Sequence, residues 1–357
     1  AFIGDGSQLT NLSVSSPFSL NDTSGNGIQS ETNTASGNYS IAIGQSSVAS
    51  GGWSTALGKN SVASGVYSFA SGGEMATASG ALSVAIGQST EALAERSTAI
   101  GVFAISSGGQ AVAIGSNLEA SGHSSMAMGN STLASGAAST AMGQGTVASG
   151  GSSTAMGRQT TASGNWSTAM GFGTTASENY STSMGYNTTA SGGVSFAIGG
   201  TTTASGIASF ASGTGSTASG TNSVAMGDNS TASGSYSFAH SGTASGIGSI
   251  AMVSATASGE YSTAISLSTI ASGNHSTAMG YNTTASDYNS FVIGRFNSLG
   301  STVTNSATEF NASSPAFVIG NGYTNAPVDD GRSDALTVLF DGTTNVAGSV
   351  TATAFIG

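Results

Sequence analysis

The sequence lacks cysteine altogether and contains only 3 prolines in 357 residues. The lack of cysteine excludes a disulfide framework and thiolate metal sites, and it is compatible with an exported protein. Charged residues are also scarce, at 6% of the chain, whereas a soluble globular protein has about 25%. Disordered chains usually combine high charge with frequent proline, and both are missing here. Because Ala, Val, Ile, Met and aromatic residues recur at fixed spacing, a repeat architecture is favoured over disorder.

Basic residues are the scarcest charged class, with 5 Lys and Arg against 16 Asp and Glu. Binding to nucleic acid needs clustered Lys and Arg, so a nucleic-acid partner is excluded, and so is docking on an anionic membrane. The sequence has no run of 18 apolar residues, so we expect a protein that is not embedded in a membrane. Because the chain starts at Ala1 rather than Met, we also expect a processed product or an excised segment.

What the sequence does have is a strict glycine rhythm. The first glycines of the series lie seven residues apart: Gly37, Gly44, Gly51, Gly58, Gly65 and Gly72. Two alternating heptads make one unit of 14 residues, typified by Asn165–Gly171 followed by Phe172–Glu178. With small slips the rhythm continues to Gly294, which gives about eighteen units. Such self-similarity is the signature of a repeat fold.

Each heptad is long enough for a short strand and a tight turn, and too short for a helix and a loop. Within Ser167–Gly171 small and larger residues alternate, which places them on opposite faces of a strand. The final glycine permits positive φ at the corner. We therefore predict an all-β fold, a β-solenoid whose coils stack in register. A nearly constant alanine is predicted to fill the narrow interior: Ala42, Ala56, Ala85, Ala99, Ala127, Ala141, Ala155 and Ala169.

The other face of the same strand carries an apolar stripe. Its members are Ile43, Leu57, Ile86, Ile100, Ile114, Met128, Met142, Met156, Met170, Met184, Ile198 and Met226. Burial of such a stripe must contribute strongly to stability, and one thin coil offers no place to bury it. The stripe therefore predicts self-association along the solenoid axis.

The repeat resembles a known family. The pattern Ser-x-Ala-(Ile/Met)-Gly followed by x-x-(Ser/Thr)-x-Ala-Ser-Gly, as in Tyr39–Gly44 and Ser83–Gly87, is similar to the head repeat of YadA-like trimeric autotransporter adhesins. The resemblance covers residues 35–294. It implies a homotrimer of left-handed parallel β-rolls, intertwined or side by side, with the stripe as the trimer interface. The same type of repeat occurs in tail fibres of tailed bacteriophages.

The ends of the chain differ from the middle. We predict an N-terminal connector over 1–34, the β-roll over 35–294, and a C-terminal β connector or cap over 295–357. In the last segment Ala316–Gly320 and Leu336–Phe340 are predicted strands of a hairpin. Ala354–Gly357 repeats Ala1–Gly4, which indicates a tandem module or end-to-end assembly, or else a coincidence of four simple residues.

Residues for chemistry are sparse. His123, His240 and His275 are scattered without carboxylates at ligand spacing, so no metal site and no catalytic triad is predicted. The segment Asp329–Asp334 departs from the spacing of calcium loops and is interpreted as a solvated turn. We predict no enzyme activity and no cofactor.

One corner position of the repeat is repeatedly aromatic. It carries Tyr39, Trp53, Tyr67, Trp166, Tyr180, Tyr236 and Tyr261, in places in adjacent coils. This column is either an adhesive ladder that binds glycan rings or another surface, or a stack that only covers the corner.

A threonine column, Thr160, Thr174, Thr188 and Thr202, raises the hypothesis of ice binding, since flat threonine arrays on β-solenoids can order water. The sequence thus favours a structural and adhesive segment of an extracellular trimeric fibre, on a cell surface or a virion, that attaches to a surface or host. Its partners would be copies of itself and a host glycan or protein. The alternatives are a bacteriophage tail fibre that binds a receptor, and an ice- or glycan-binding solenoid.

Overall fold

A computed structural model describes residues 19–20, 28–29, 32–299, 306–323 and 331–350. The chain divides into two compact units, residues 1–148 and 149–357. All regular elements among the described residues are strands. Stacked parallel coils of about 14 residues form a β-solenoid of about 19 turns, which confirms the predicted fold class.

The first unit begins with two short antiparallel strands, Ser19–Leu20 and Ile28–Gln29. Its coils alternate long and short strands. The long strands are Ile41–Gln45, Thr55–Lys59, Phe69–Glu74, Val84–Gln88, Thr98–Ser106, Val112–Ala120, Met126–Asn130 and Thr140–Gln144. The short strands are Thr34–Ala35, Val48–Ala49, Val62–Ala63, Thr77–Ala78, Glu91–Ala92, Leu133–Ala134 and Val147–Ala148.

The second unit follows the same plan. Its long strands are Thr154–Arg158, Thr168–Phe172, Thr182–Tyr186, Phe196–Gly200, Phe210–Thr214, Val224–Asp228, Phe238–His240, Ile250–Met252, Thr263–Ile265, Thr277–Tyr281 and Phe291–Arg295. Its short strands are Thr161–Ala162, Thr175–Ala176, Thr189–Ala190, Thr203–Ala204, Thr217–Ala218, Thr231–Ala232, Thr243–Ala244, Thr256–Ala257, Ile270–Ala271 and Thr284–Ala285. Three C-terminal strands follow: Pro315–Asn321, Asp334–Leu339 and Thr344–Val346.

A coil has two faces, one formed by the long strand and one by the short strand. In Thr98–Ser106 and Val112–Ala120 a single strand runs through both positions. Each strand pairs in parallel with its equivalent in the next coil, so that Met170 lies opposite Met184, and Thr175 lies opposite Thr189. Parallel stacking in register satisfies the strand amides and carbonyls between coils, which a single coil could not do alone.

The interior is lined by the residue types that alternation predicts, with one addition. The eight alanines named above are 0% exposed, which confirms their predicted position. The interior also contains serine and threonine hydroxyls. Some of them bond to the backbone or to each other, whereas many others among the described residues, such as that of Thr160, have no hydrogen-bond partner. Ser47 Oγ donates to the carbonyl oxygen of Gly58 at 2.6 Å, and Ser183 Oγ lies 2.7 Å from Thr188 Oγ1. Only small side chains fit between the two strands, and Ser and Thr are small enough to take interior positions beside the alanines.

Two kinds of glycine shape the coil. Gly171 and most of its equivalents have the predicted positive φ, +120° for Gly171, but they lie near the end of the long strand and not at a corner. The glycines of the Ala-Ser-Gly turns serve a different purpose, because a Cβ on Gly51 would lie 2.1 Å from the carbonyl oxygen of Gly65 in the next coil. These second glycines therefore permit close approach of backbones.

The coil length varies locally in the second unit. Gly234, Gly246 and Gly259 are spaced by 12 and 13 residues instead of 14. The lost residues come from the end of the long strand, which shrinks to three residues in Phe238–His240 and Ile250–Met252. The pairing of the remaining strand residues stays in register.

The C-terminal strands extend the long-strand sheet. Pro315–Asn321 pairs in parallel with Phe291–Arg295, and Asp334–Leu339 then pairs antiparallel with Pro315–Asn321. Thr344–Val346 adds a further antiparallel strand after the turn at Asp341 and Gly342. The repeated Ala-Phe-Ile-Gly at both ends of the sequence lies outside the described residues, and the division into connectors and roll stays a prediction.

Candidate functional site

The apolar stripe lies on the outer side of the long-strand face. In the first unit Ile86, Ile100, Ile114, Met128 and Met142 follow one another in register. In the second unit the register runs through Met156, Met170, Met184 and Ile198. All twelve predicted side chains are half-buried or exposed, and Ile43, Ile86, Ile198 and Met226 are 36–37% exposed. The stripe is therefore accessible along each unit.

The stripe extends further than the sequence repeat indicated. After Met226 the same column continues through His240, Met252, Ile265, Met279 and Ile293. Sequence reasoning missed these members because the shortened coils break the 14-residue spacing. Serine interrupts the column at Ser71 in the first unit and at Ser212 in the second.

A second outward column lies two residues before the stripe, at the start of each long strand. It includes Phe69, Val84 and Val112 in the first unit, and Phe196 and Phe210 in the second. The rings of Phe196 and Phe210 stack at a centroid distance of 5.4 Å with an interplanar angle of 1°. Threonine fills this position in many other coils, which hid the column in the sequence. The long-strand face is thus two apolar columns wide in the coils of Val84, Val112 and Phe196, whereas serine holds the stripe position beside Phe69 and Phe210.

The short-strand face is different, and it corrects one prediction. Thr160, Thr174, Thr188 and Thr202 are each 0% exposed. These side chains point into the coil, because the outward residues of the short strands are the adjacent threonines such as Thr161 and Thr175. The hypothesis that the column beginning at Thr160 binds ice is therefore wrong.

The aromatic column lies on the corner before the long strand and is accessible. Its seven members are 53–67% exposed. Each occupies the left-handed region, for example Tyr39 at φ 58° and Trp53 at φ 61°. The local cause is a β-turn, in which the Ser40 N–H donates to the carbonyl oxygen of Gly37 at 3.2 Å. Bulky residues are uncommon at positive φ, and this constraint was not visible in the sequence.

The rings form separate stacks. In the first unit Tyr39 lies 4.4 Å from Trp53, which lies 6.0 Å from Tyr67. In the second unit Trp166 and Tyr180 stack at 5.0 Å. Tyr261 stacks on His275 at 5.3 Å, whereas Tyr236 lies between the coil positions of Asn222 and Gly248. Both faces of the Trp53 ring are covered by its neighbours, so a ligand would reach ring edges and polar tips.

The repeat pattern itself matches a known family. A scan against family profiles finds the YadA head domain repeat in eleven stretches, some of which overlap: 35–52, 54–74, 78–104, 92–117, 120–146, 148–174, 167–188, 176–201, 218–239, 244–265 and 271–297. Together they cover more than half of the chain. The protein belongs to the YadA head repeat family. No curated protein matches the sequence.

Membership of the YadA head repeat family sets the broad class of function. The family is of the structural, adhesin type and is not an enzyme family. Its heads generally form homotrimers, and its repeats are typically exposed at the cell surface. In the part of this YadA head that the structure describes, no helix is long and apolar enough to cross a membrane.

The charged residues of this YadA head form no reactive cluster within the described ranges. No group of three or more His, Asp and Glu side chains among them could hold a metal ion. The pKa of the exposed Asp341 carboxyl lies below its usual value because the backbone N–H of Thr343 donates a hydrogen bond to it at 2.8 Å. This bond stabilises the turn at Asp341. The candidate functional surfaces are the long-strand face and the aromatic corner.

Proposed function

We propose that the chain is a structural and adhesive segment of an extracellular trimeric fibre, on a cell surface or a virion. The observation that carries this proposal is the long-strand face, on which Ile and Met side chains run in register from coil to coil while remaining accessible in the single chain. Large contiguous apolar patches on soluble proteins mark interaction sites.

Association of identical chains suits this face. The stripe has one residue per coil, and parallel copies in register present apolar residues to apolar residues at every level. Complete burial of a Met or Ile side chain contributes about 1.5–3 kcal/mol relative to exposure. Repetition over many coils therefore gives a large favourable free energy of association. The trimeric state is proposed because heads of this family generally form homotrimers.

The aromatic corner supplies the adhesive part of the proposal. Left-handed backbone costs a non-glycine residue about 1–2 kcal/mol, and a stacked aromatic pair returns only about 0.5–1.5 kcal/mol. Asn222 and Gly248 show that the same corner accepts residues suited to positive φ. Ala138 and Ala208 adopt the same conformation there, so the backbone does not require an aromatic residue, and the exposed rings are available for binding. Tyr hydroxyls and the Trp53 N–H at the stack edge suit a polar, hydroxyl-rich ligand such as a glycan.

Charges placed on the stripe are expected to dissociate the fibre. The double variant Met156→Asp/Met170→Asp should raise the concentration for half-assembly about 100-fold or more, since 1.4 kcal/mol corresponds to tenfold. Thr161→Asp/Thr175→Asp adds the same charge to the short-strand face and should leave assembly unchanged. Sedimentation equilibrium measures the mass, expected at three times 34.3 kDa for the natural chain. A natural chain that sediments as a monomer would contradict the proposal, as would an unaltered trimer in the Met variant.

The aromatic stack is tested by Trp53→Ala with Gln110→Ala as its matched control. Both residues occupy the same exposed corner position with φ near 60°, and Ala138 and Ala208 already occupy it elsewhere. Binding of the intact fibre is measured on a glycan array and on host cells. We expect Trp53→Ala to weaken binding about tenfold or more, as for aromatic residues central to an interface, and Gln110→Ala to bind normally. Unchanged binding by Trp53→Ala would remove the adhesive role of the stack.

A further inference from the structure

The apolar stripe does not end with the solenoid. Ile293 pairs in parallel with Ile319, Ile319 pairs antiparallel with Leu336, and Leu336 pairs with Val346. The column of Met279 and Ile293 thus continues through the three C-terminal strands, here called the C-terminal sheet. It keeps large aliphatic residues at each step although the local sequence no longer follows the repeat.

The last two strands of the C-terminal sheet are accessible on both faces, whereas Pro315–Asn321 has one buried face with Val318 4% exposed. All six residues of Asp334–Leu339 are half-buried, and all three of Thr344–Val346 are exposed. Val346 is 43% exposed and Val350 is 57% exposed. In a sheet that is packed on one side, exposure alternates along the strand. The central strand, Asp334–Leu339, lacks that alternation, so both of its faces can be buried against a partner.

The charged side chains of the sheet accept hydrogen bonds from groups of the same chain. Asp334 accepts hydrogen bonds from the Ser298 N–H at 2.9 Å and from Thr337 Oγ1 at 3.3 Å. Asp341 accepts one from the Thr343 N–H at 2.8 Å. The remaining residues from 335 to 350 are uncharged. Close approach of identical sheets therefore meets little repulsion.

We infer that the C-terminal sheet is a trimer clasp, covered on its two faces by the equivalent sheets of two further copies of this chain. The inference rests on the proposed function and adds a C-terminal element that stabilises the trimer. Three features point to copies rather than to another partner. The outward column is continuous with the stripe, parallel copies present that column at the same level, and in a trimer every chain has two neighbours.

The exposed last strand fits the same arrangement. Thr344–Val346 pairs with Asp334–Leu339 on one side only among the described residues. Exposed sheet edges invite pairing with further strands, so proteins normally cover them. In the clasp, the neighbouring copy covers this edge as well as the outward face.

The test uses the full chain and the variant Leu336→Asp/Val346→Asp, with Leu336→Met/Val346→Ile as the volume-conserving control. We expect the charged variant to need at least tenfold higher concentration for half-assembly, whereas the control assembles normally. Hydrogen exchange of the strands from Thr154–Arg158 to Thr277–Tyr281 checks that the coils remain folded. If the charged variant disturbs the coils, Leu336→Ser replaces it in the same comparison.

The outcomes separate the clasp from the trimer itself. A natural chain that is monomeric overturns the proposed function. A natural trimer whose assembly is unaffected by Leu336→Asp/Val346→Asp overturns the clasp and leaves the stripe in place. A natural trimer in which amides of Asp334–Leu339 exchange as fast as in monomeric Met156→Asp/Met170→Asp also overturns the clasp, and would assign the sheet to a different partner.

Discussion

Alanine in place of Gly185 should disrupt the solenoid, whereas the same substitution at Gly193, eight residues away, should be tolerated. Gly185 has φ +122°, and a Cβ there would lie 2.1 Å from the carbonyl oxygen of Gly199 in the next coil. Neither the backbone conformation nor the contact can relax, because the obstacle is the main chain of a paired strand. Gly193 has no heavy atom within 4 Å of its Cβ position.

The two substitutions are expected to change the free energy of unfolding by different amounts and in different directions. Gly185→Ala should cost more than about 4 kcal/mol, the range reserved for forced steric conflict and special backbone conformations. Gly193→Ala should be neutral or should stabilise by up to about 1 kcal/mol through the unfolded chain. Thermal unfolding compares the two variants, and hydrogen exchange locates the damage, which should centre on Thr182–Tyr186 and Phe196–Gly200. Equal stability of the two variants would refute this role for Gly185.

Loss of the Asn297 side chain should open the C-terminal end of the coil stack. Asn297 is 1% exposed and takes the interior position that threonine holds in earlier coils. Its Oδ1 accepts the Thr284 N–H at 2.7 Å, and its Nδ2 donates to the Thr284 carbonyl oxygen at 2.9 Å. The amide side chain thus takes the place of the next strand, and leaves no unpaired backbone group at Thr284.

Asn297→Ala should destabilise the second unit by about 2–4 kcal/mol, since each buried backbone group left without a partner costs about 1–3 kcal/mol. Asn38→Ala is the control, because Asn38 is exposed and it is its backbone carbonyl that accepts the Trp53 N–H. Chemical denaturation gives the change in the free energy of unfolding. Hydrogen exchange should show the first loss of protection at Thr284–Ala285. Protection that is lost elsewhere first would argue against a capping role.

Asn33, in the first unit, also bonds two backbone groups with its amide side chain. Its Oδ1 accepts the Ser47 N–H at 2.7 Å, and its Nδ2 donates to the Gly44 carbonyl oxygen at 3.0 Å. A carboxamide carries one acceptor and two donors, so it can imitate a peptide group. Asn33 thus bonds forward to the next coil, as Ser47 Oγ does when it donates to the carbonyl oxygen of Gly58, whereas Asn297 bonds back to the preceding coil and closes its edge.

Much of the fold could be predicted because every unit of the repeat carries the same local residue pattern. Small alanine at one strand position and Ile or Met two residues later determine which face is inside, since only small side chains fit between two strands so close together. The regularly spaced glycines and the weak helix propensity of Ser, Thr and Gly also favour a β-fold. Composition alone also excluded a disulfide framework and thiolate metal sites.

The error at Thr160 has a clear physical cause. Thr160 and Thr161 are adjacent and identical, so the alternation of a two-residue strand cannot tell which one points inward. The buried Ala162 decides it, because alternation then places Thr160 on the inner face and Thr161 on the outer face. The aromatic corner before the long strand escaped notice for another reason: Tyr, Trp, Leu and Arg occupy it, and none of them signals positive φ.

The sequence by itself determined the β-solenoid, its alanine interior and the apolar stripe, because each follows from spacing that is repeated coil after coil. Only the tertiary structure decided how far the stripe reaches, through the shortened coils to Ile293 and on to Leu336 and Val346. That column is defined by pairing between strands of unequal spacing, including antiparallel ones. A pairing of that kind depends on the positions of backbones in space, which residue spacing does not specify.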